Sequence, residues 1–525
     1  MDNKKTVKAV TVMMLIMLVG KSLGLVRDMF FGFHYGIDSI ESKAFTIANQ
    51  LPKNFLDVMF ASAISASFIP VFNDYFEKHG KDSAYKLTYN FINIILLISG
   101  AVCVAGMIFA SPIVGWFAAD FASEIVFEAH ALGVVLLRTM FPLLMISGVA
   151  FTLVGVVQSL GEFSIPAAMS VVSNIVIIIY YLFFIRKFGI YGLAVAFVLA
   201  WLAQLLIQLP FLYKNGFGWQ FVIDRKDPGI KQIFVLMLPV MASTWIQPVN
   251  NIINIKIASG LFGGAGIVAL NLANTLYTII MGVFIMSVAN VIFPRLAKQN
   301  TNRDTGGFGD TLFFTLHAIF YFLIPMTVGL IILSGPLVRL VFEIRGGQFD
   351  KFSTTITARA LAFYCIGIIG FGVHTILARG FYALKDGKTP LITSIVAIAI
   401  NLFLSLLLVG HMDVGGVALA SSVSISVVAV VMVAVMSKTV KLNMWSDIAK
   451  MLCAAGVTAV CAVAIRNFFL HYPDTTFIRL ATVFVPSLFG AVAYFVFTLM
   501  LGVPEARIAG AGIRSFLQKT QWRKE

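Results

Sequence analysis

The chain has 525 residues, of which 59% are hydrophobic and only 12% are charged, and its formal net charge is +14. Soluble domains carry about 25% charged residues, so this composition excludes a soluble globular protein. The basic excess falls in loops on one side of the apolar segments. It therefore indicates a multi-pass membrane protein that follows the positive-inside rule, and no nucleic-acid partner.

The apolar runs are long and continuous, which predicts transmembrane helices. Lys4, Lys5 and Lys8 precede the first run, and no small-residue cleavage site follows, which predicts an uncleaved first span with a cytoplasmic N-terminus. Fourteen segments are long enough to span a bilayer: residues 10–33, 44–72, 87–110, 131–157, 165–185, 190–212, 233–257, 266–293, 311–334, 357–378, 390–409, 415–436, 446–465 and 477–501.

The chain repeats itself at an offset of 224 residues. Three anchors share this offset: Pro70 with Pro294, Pro166 with Pro390, and residues 192–196 with 416–420. Spans one to six therefore match spans seven to twelve, and an even number of spans in each repeat makes the repeats parallel. We predict a six-helix N-terminal lobe (1–213), a six-helix C-terminal lobe (214–438) and two extra helices (439–502). This is the usual plan of a secondary transporter.

The predicted tail, residues 503–525, mixes apolar and basic side chains. It fits a basic amphipathic helix on the inner leaflet and a solvated tail about equally well. With fourteen spans, both termini are expected in the cytoplasm.

Ionisable residues inside the spans are costly in lipid and usually face a cavity. The first span holds Lys21, Arg27 and Asp28. Lys21 lies roughly mid-membrane if the span begins near residue 10. Arg27 paired with Asp28 could also be a snorkelling arginine, but Lys21 is too deep for that explanation.

Further ionisable residues follow in later spans. Lys53 and Asp57 in the second span lie four residues apart and could pair, and Pro52 predicts a bend there. The seventh span holds Lys256. Arg138 in the fourth span either lines a cavity or braces the bundle.

The predicted cavity is more basic than acidic, which favours an anionic substrate such as a phosphate or pyrophosphate headgroup over a cationic drug. We find no nucleophile–base pair, no metal-ligand spacing among the four cysteines and no phosphate-binding loop. The sequence thus predicts a transporter with no cofactor, driven by an ion gradient, the membrane potential or the substrate gradient, and not an enzyme.

Four stretches resemble the MurJ/MviN lipid II flippase family, within the multidrug/oligosaccharidyl-lipid/polysaccharide exporter superfamily. They are residues 20–28 (GKSLGLVRD), 51–72, 137–174 and 379–401, the last of which begins RGFYALKD. Residues 269–274 and Phe293-Pro294 are also similar to the family's eighth span.

The resemblance implies an all-α fold with two lobes around a V-shaped cavity and a lipid-facing groove formed by the last two spans. It implies that lipid II, an undecaprenyl-pyrophosphate disaccharide-pentapeptide, is flipped by alternating access from the inner to the outer leaflet of the bacterial plasma membrane. The expected partners are this lipid-linked anionic substrate, membrane lipids and the cell-wall synthesis machinery. Coupling to the membrane potential or to Na⁺ is also implied.

The resemblance carries over to individual residues only in part. Arg27 matches the family's essential first-span arginine, Asp28 its neighbouring acid, and Lys21 a further basic position. Asp386 matches an acid proposed for a sodium site, and a second acid of that site aligns near Asn254.

Elsewhere the chain departs from the family. Five positions lack an expected charge: Thr275 replaces an arginine, Thr278 an acid, Lys43 an acid, and Leu56 and Asp57 an arginine pair. Lys53 and Lys256 are hypothesised to supply part of the missing positive charge.

Three alternatives stay open from the residues. The first is a flippase for another polyprenyl-pyrophosphate saccharide, such as an exopolysaccharide or teichoic-type unit. The second is a cation-coupled drug exporter, which the basic cavity disfavours. The third is a membrane scaffold without transport activity, which the buried charges of the first span disfavour.

Overall fold

A computed structural model describes residues 3–56, 63–118, 126–244, 246–440, 444–469 and 471–508. Within these ranges the regular elements are eighteen α-helices and one short 3₁₀ turn at Phe262–Gly264, which confirms the predicted all-α class. The helices are α1 (Asn3–Tyr35), α2 (Ile40–Leu56), α3 (Ala63–Ile108), α4 (Ala110–Ala118), α5 (Val126–Met140), α6 (Leu143–Ser159), α7 (Ser164–Phe183), α8 (Ile185–Leu206), α9 (Leu209–Lys214), α10 (Pro228–Thr244), α11 (Ile246–Ser259), α12 (Ala265–Thr301), α13 (Thr305–Phe342), α14 (Lys351–Ile366), α15 (Ile368–Ala383), α16 (Lys388–Met436), α17 (Trp445–Phe469) and α18 (Thr476–Met500).

Nine helical segments of the described ranges are long and apolar enough to cross a membrane, and ten if the bent pair α14–α15 counts as one span. One of them, α16, covers both the eleventh and twelfth predicted spans. The predicted first, second and seventh spans have no helix of their own in this set. These three spans carry Lys21, Arg27, Asp28, Lys53 and Lys256. The count of fourteen therefore stays a prediction.

The helices and the predicted spans differ in their limits. The connection expected between the second and third spans is helical, because α3 runs on from Ala63 to Ile108 and breaks only at Gly80 (φ 80°). Good helix formers such as Glu77 and Lys78 let the helix continue beyond the apolar run. The predicted tenth span is a pair of helices bent by 43° next to Gly367. Pro52 lies inside α2, and residues 57–62 beyond it lie outside the described residues.

The duplication predicted from the sequence recurs in the backbone. Gly189 (φ 54°, ψ −144°) interrupts α8, and Asp413 (φ 50°, ψ −132°), 224 positions later, interrupts α16. Gly161 (φ 86°) and Lys385 (φ 64°) are also 224 positions apart and precede the starts of α7 and α16, which share the same offset. Positive φ is uncommon outside glycine, so two matched pairs at one offset indicate two copies of the same chain path.

The chain forms two compact units, residues 1–271 with 347–349, and residues 272–346 with 350–525. In the first unit α1 packs on α7, and α3 packs on α6 and α10. Gly20 and Gly24 permit the α1–α7 approach, since a Cβ on Gly20 would lie 3.1 Å from the Ser170 hydroxyl. Small residues four apart are a common way for membrane helices to come close.

In the second unit α13 packs against α14, α15, α17 and α18. Tyr321 and Ile324 of α13 share a buried cluster with Met451 of α17 and Tyr494 of α18. Val503 and Ala506 are fully buried in this cluster, so the first residues of the predicted tail pack against the helices. Residues 509–525 lie outside the described residues. The predicted division at 213, 438 and 502 stays a prediction.

Candidate functional site

The side chain of Arg27 lies at the contact of α1 with α7. Its Nε donates to Asp28 Oδ1 at 2.8 Å, and one terminal nitrogen reaches the same oxygen at 2.8 Å. The other terminal nitrogen donates to Asn174 Oδ1 at 3.2 Å. The hydrogen bonds to Asp28 and Asn174 use two of the five N–H groups of the guanidinium, and the third contact is an ion pair. The side chain of Arg27 is 28% exposed.

Asn174 fixes this arrangement from α7. It is buried, and its Nδ2 donates to the carbonyl oxygens of Gly20 at 3.1 Å and Ser170 at 2.8 Å. Gly20, Gly24 and Arg27 are spaced along one stripe of α1, which is the stripe that faces α7. The Arg27 guanidinium also lies 5.7 Å from the centre of the Phe197 ring on α8. The guanidinium is thus held in one orientation by a carboxylate, an amide and a ring.

An aromatic stack continues this face of α1. Tyr181 of α7 stacks on Phe30 at 5.6 Å and on His34 at 5.6 Å. Our sequence reasoning missed Tyr181 and Phe197, and it included Asn174 only as the last residue of the 137–174 stretch that resembles the family. The available signal was a single amide side chain inside the apolar run of α7.

Lys21 is exposed on α1. It lies next to the Gly20–Gly24 stripe and six residues before Arg27, which is roughly 9 Å along the helix. The two cations are thus on one helix but not on one face.

Lys53 is exposed on α2, and its predicted partner Asp57 lies outside the described residues. The buried polar face of α2 is instead made by Gln50 and Asn54, four residues apart. Gln50 donates to Asn271, and Asn251 of α11 donates to Asn54 at 2.9 Å. Sequence reasoning missed these amides, although their i, i+4 spacing was visible.

Lys256 of α11 is held by α4. Its Nζ donates to the carbonyl oxygen of Trp116 and lies 5.5 Å from the centre of that indole ring. Lys43, which stands where the family has an acid, is buried and pairs with Asp38 at 2.8 Å. The charge of Lys43 is therefore balanced locally within the first unit. Thr278, another position that departs from the family, donates to the Thr275 carbonyl.

Asp386 caps the start of α16. Its carboxylate accepts from the Thr389 hydroxyl at 2.5 Å and from the amides of Lys388 and Thr389 at 3.0 and 3.1 Å. The hydroxyl bond and the amide bonds stabilise the ionised form, so the pKa of Asp386 is lowered. A cation at Asp386 would compete with the cap.

Asn254 is buried and belongs to the first unit, whereas Asp386 belongs to the second. In the described part of the chain, no group of three or more histidine, cysteine or acidic side chains could hold a metal ion.

Two ionic clusters of the second unit were also missed. Buried His317 of α13 contacts Glu505 at 2.8 Å and Asp447 of α17 at 3.5 Å. Asp474 contacts Arg479 at 2.6 Å and Arg339 at 2.8 Å. The Arg479 hydrogen bond is the main reason that the pKa of Asp474 is lowered. These clusters join α13 to the helices that follow α16.

Comparison with known proteins gives a consistent result. The family model described as lipid II flippase MurJ matches residues 37–485. The lipid II flippase MurJ of Burkholderia cenocepacia is 27% identical over 403 residues, which cover 75% of this chain and 77% of that protein.

Solved structures show the same fold. Lipid II flippase MurJ in an inward closed conformation superposes with a TM-score of 0.78 at 24% identity, over 94% of this chain and 98% of that one. An inward-facing multidrug resistance MATE family transporter of the MOP superfamily gives a TM-score of 0.68 at 14% identity, over 82% of this chain and 98% of that one.

Proposed function

The chain belongs to the family of MurJ lipid II flippases, and we propose that it flips lipid II from the inner to the outer leaflet of the bacterial plasma membrane by alternating access. The observation that carries this proposal is the family match over residues 37–485. The substrate would supply peptidoglycan synthesis, so the cell-wall machinery is the expected downstream partner. Both termini are proposed to lie in the cytoplasm, because the loop charges follow the positive-inside rule.

Arg27 is proposed to bind the pyrophosphate of the substrate. Its hydrogen bonds to Asp28 and Asn174 leave other N–H groups of the guanidinium to donate, and a guanidinium suits phosphate oxygens in a bidentate geometry. Asp28 and Asn174 are positioning residues, since they hold the guanidinium plane. Lys21, exposed on the same helix, adds positive potential near the headgroup.

Lys53 and Lys256 differ in how readily they could approach an anionic headgroup. Lys53 is exposed on α2 and could approach an anionic headgroup. Lys256 would first have to leave the carbonyl and ring of Trp116. We therefore expect Lys53→Ala to weaken transport more than Lys256→Ala does.

The test is lipid II exposure on the outer face of cells that are depleted of their own flippase and supplied with this protein. Arg27→Ala removes the guanidinium, and Arg27→Lys keeps the positive charge but loses the planar group that can donate two parallel hydrogen bonds. Loss of a charged hydrogen bond costs about 1.5–3 kcal/mol, so Arg27→Ala should lower the flipping rate by about 10- to 150-fold.

Arg138→Ala is the matched control. Arg138 is also an arginine within a predicted span, but it donates to the backbone carbonyl of Met107 at 3.0 Å. Its removal should leave lipid II exposure unchanged. Membrane insertion without restored exposure in the native protein would instead indicate another polyprenyl-pyrophosphate saccharide as substrate.

A further inference from the structure

A cavity of about 220 Å³ lies in the first unit between α3, α6, α8 and α9. Its walls are made by aliphatic and aromatic side chains, among them Leu96, Val149, Leu153 and Leu205. The lining surface is almost wholly apolar, and apolar cavities of this kind take up hydrocarbon. The cavity does not include any residue of the candidate substrate site.

The cavity lies at a similar distance from the ends of two of the helices that line it. Leu205 is nine residues before Lys214, where α9 ends, and Leu153 is six residues before the end of α6. At 1.5 Å per residue these separations are roughly 13 Å and 9 Å. Half of a bilayer's hydrocarbon core is about 15 Å thick, so the cavity is at the level of the acyl chains of one leaflet.

The mouth of the cavity is built by the connection after α9. Tyr213 and Trp219 line the cavity and are more than half exposed. The indole N–H of Trp219 donates to Asn93 Oδ1 at 3.1 Å, and Asn93 Nδ2 donates to the carbonyl oxygens of Gln220 and Val222 at 3.0 and 2.9 Å. Asn93 is only 2% exposed, so a buried side chain of α3 holds Trp219 at the mouth.

Two lysines flank the connection that builds this mouth. Lys214 directly follows Tyr213 and is exposed. Lys81 lies 5.6 Å from the centre of the Tyr85 ring, and its Nζ is near Gly216 of the connection. Tyr and Trp beside Lys are the side chains that membrane proteins place at the lipid–water interface.

We propose that this cavity holds one acyl chain of an anionic phospholipid from the leaflet on the basic side, with the lipid headgroup at Lys81 and Lys214. The apolar walls at acyl-chain depth select hydrocarbon, and the basic rim selects the negative headgroup. None of the residues proposed to bind lipid II lines this cavity, and its occupancy does not require transport.

The test uses the purified full chain in phosphatidylcholine vesicles that contain a small fraction of phosphatidylglycerol with a photoreactive diazirine in its acyl chain. After irradiation, labelled peptides are mapped by mass spectrometry. The same probe on phosphatidylcholine reports headgroup preference. We expect labelling around Leu96, Val149 and Leu205, with phosphatidylglycerol favoured. Lys81→Gln and Lys214→Gln should each reduce the preference about fivefold.

Val149→Phe fills the cavity and should abolish the labelling. Leu182→Phe is the matched control, since Leu182 is an exposed apolar residue of α7 outside the cavity. Trp219→Ala, at the exposed mouth, gives a second variant that should also reduce labelling if Val149→Phe fails to fold.

Three results would overturn the proposal: labelling that survives both Val149→Phe and Trp219→Ala, equal labelling by the two headgroups, or displacement of the probe by a polyprenyl phosphate but not by phosphatidylglycerol. No flippase substrate is present in the assay, so its outcome is independent of the proposed function.

Discussion

The backbone break at Asp413 makes a quantitative prediction. With φ 50° and ψ −132°, Asp413 occupies the conformation of the first central residue of a type II′ turn, which glycine strongly prefers. A non-glycine residue held there costs about 1–3 kcal/mol. Its ion pair with Arg359 spans 3.6 Å between side chains that are 44% and 42% exposed, so it contributes only about 0–1 kcal/mol.

Asp413→Gly should therefore stabilise the protein. Relief of the backbone strain is partly offset by the lost ion pair and by about 0.4–1 kcal/mol of extra entropy in the unfolded chain. The expected net gain is about 1 kcal/mol. The reverse change, Gly189→Asp at the equivalent position of the first repeat, should destabilise by about 1–2 kcal/mol, because the strain is partly offset by the lower entropy of the unfolded chain. A Cβ on Gly189 would meet no atom within 4 Å, so this loss comes from the backbone and not from a clash.

The assay is thermal unfolding of the purified protein in one detergent at one scan rate. In a cooperative unit of ~150–250 residues, 1 kcal/mol shifts the midpoint by about 2–4 °C. Asp413→Asn is the control, because it removes the carboxylate charge and keeps a side chain in the strained conformation. If Asp413→Gly lowers the midpoint as much as Asp413→Asn does, the strain argument is refuted.

Three further predictions concern the sites. Asn174→Ala should slow lipid II flipping up to about tenfold, because Arg27 loses a charged hydrogen bond; an unchanged rate in the exposure assay would contradict the positioning role, and Asn174→Asp, which keeps an acceptor, is the control. Thr389→Val should raise the pKa of Asp386 toward its ordinary range near 4, measured by NMR of labelled carboxyl carbons, with Thr389→Ser as the control. Because the folded-state pKa of Asp474 is lowered, its ionised carboxylate stabilises the protein above about pH 4, and this effect is lost as the pH falls through the folded pKa. Between pH 7 and pH 3 the unfolding temperature of Asp474→Asn should therefore drop less than that of the native protein. An equal drop would refute the stabilising role of the ionised carboxylate.

The all-α fold class and the internal duplication of the chain could both be predicted from the sequence alone. Low charge and long apolar runs predict transmembrane helices, because in lipid the backbone N–H and C=O groups must form their hydrogen bonds within their own segment. The offset of 224 residues was visible in prolines and glycines, and the backbone breaks at Gly189 and Asp413 recur at that offset because a duplicated chain keeps its turns. Arg27 and Asp28 are neighbours in the chain, so their pairing could also be expected.

The partners of the other candidates were decided by tertiary structure. Arg27 reaches Asn174 across 147 positions, Lys256 reaches Trp116 across 140, and no local pattern encodes which helix faces meet. Hydropathy reports whether a residue can lie in lipid, whereas packing determines which buried charge meets which acceptor. For this reason the sequence could nominate Lys256 and Asp386 as site residues, but only the fold placed one against an indole ring and the other at the start of a helix.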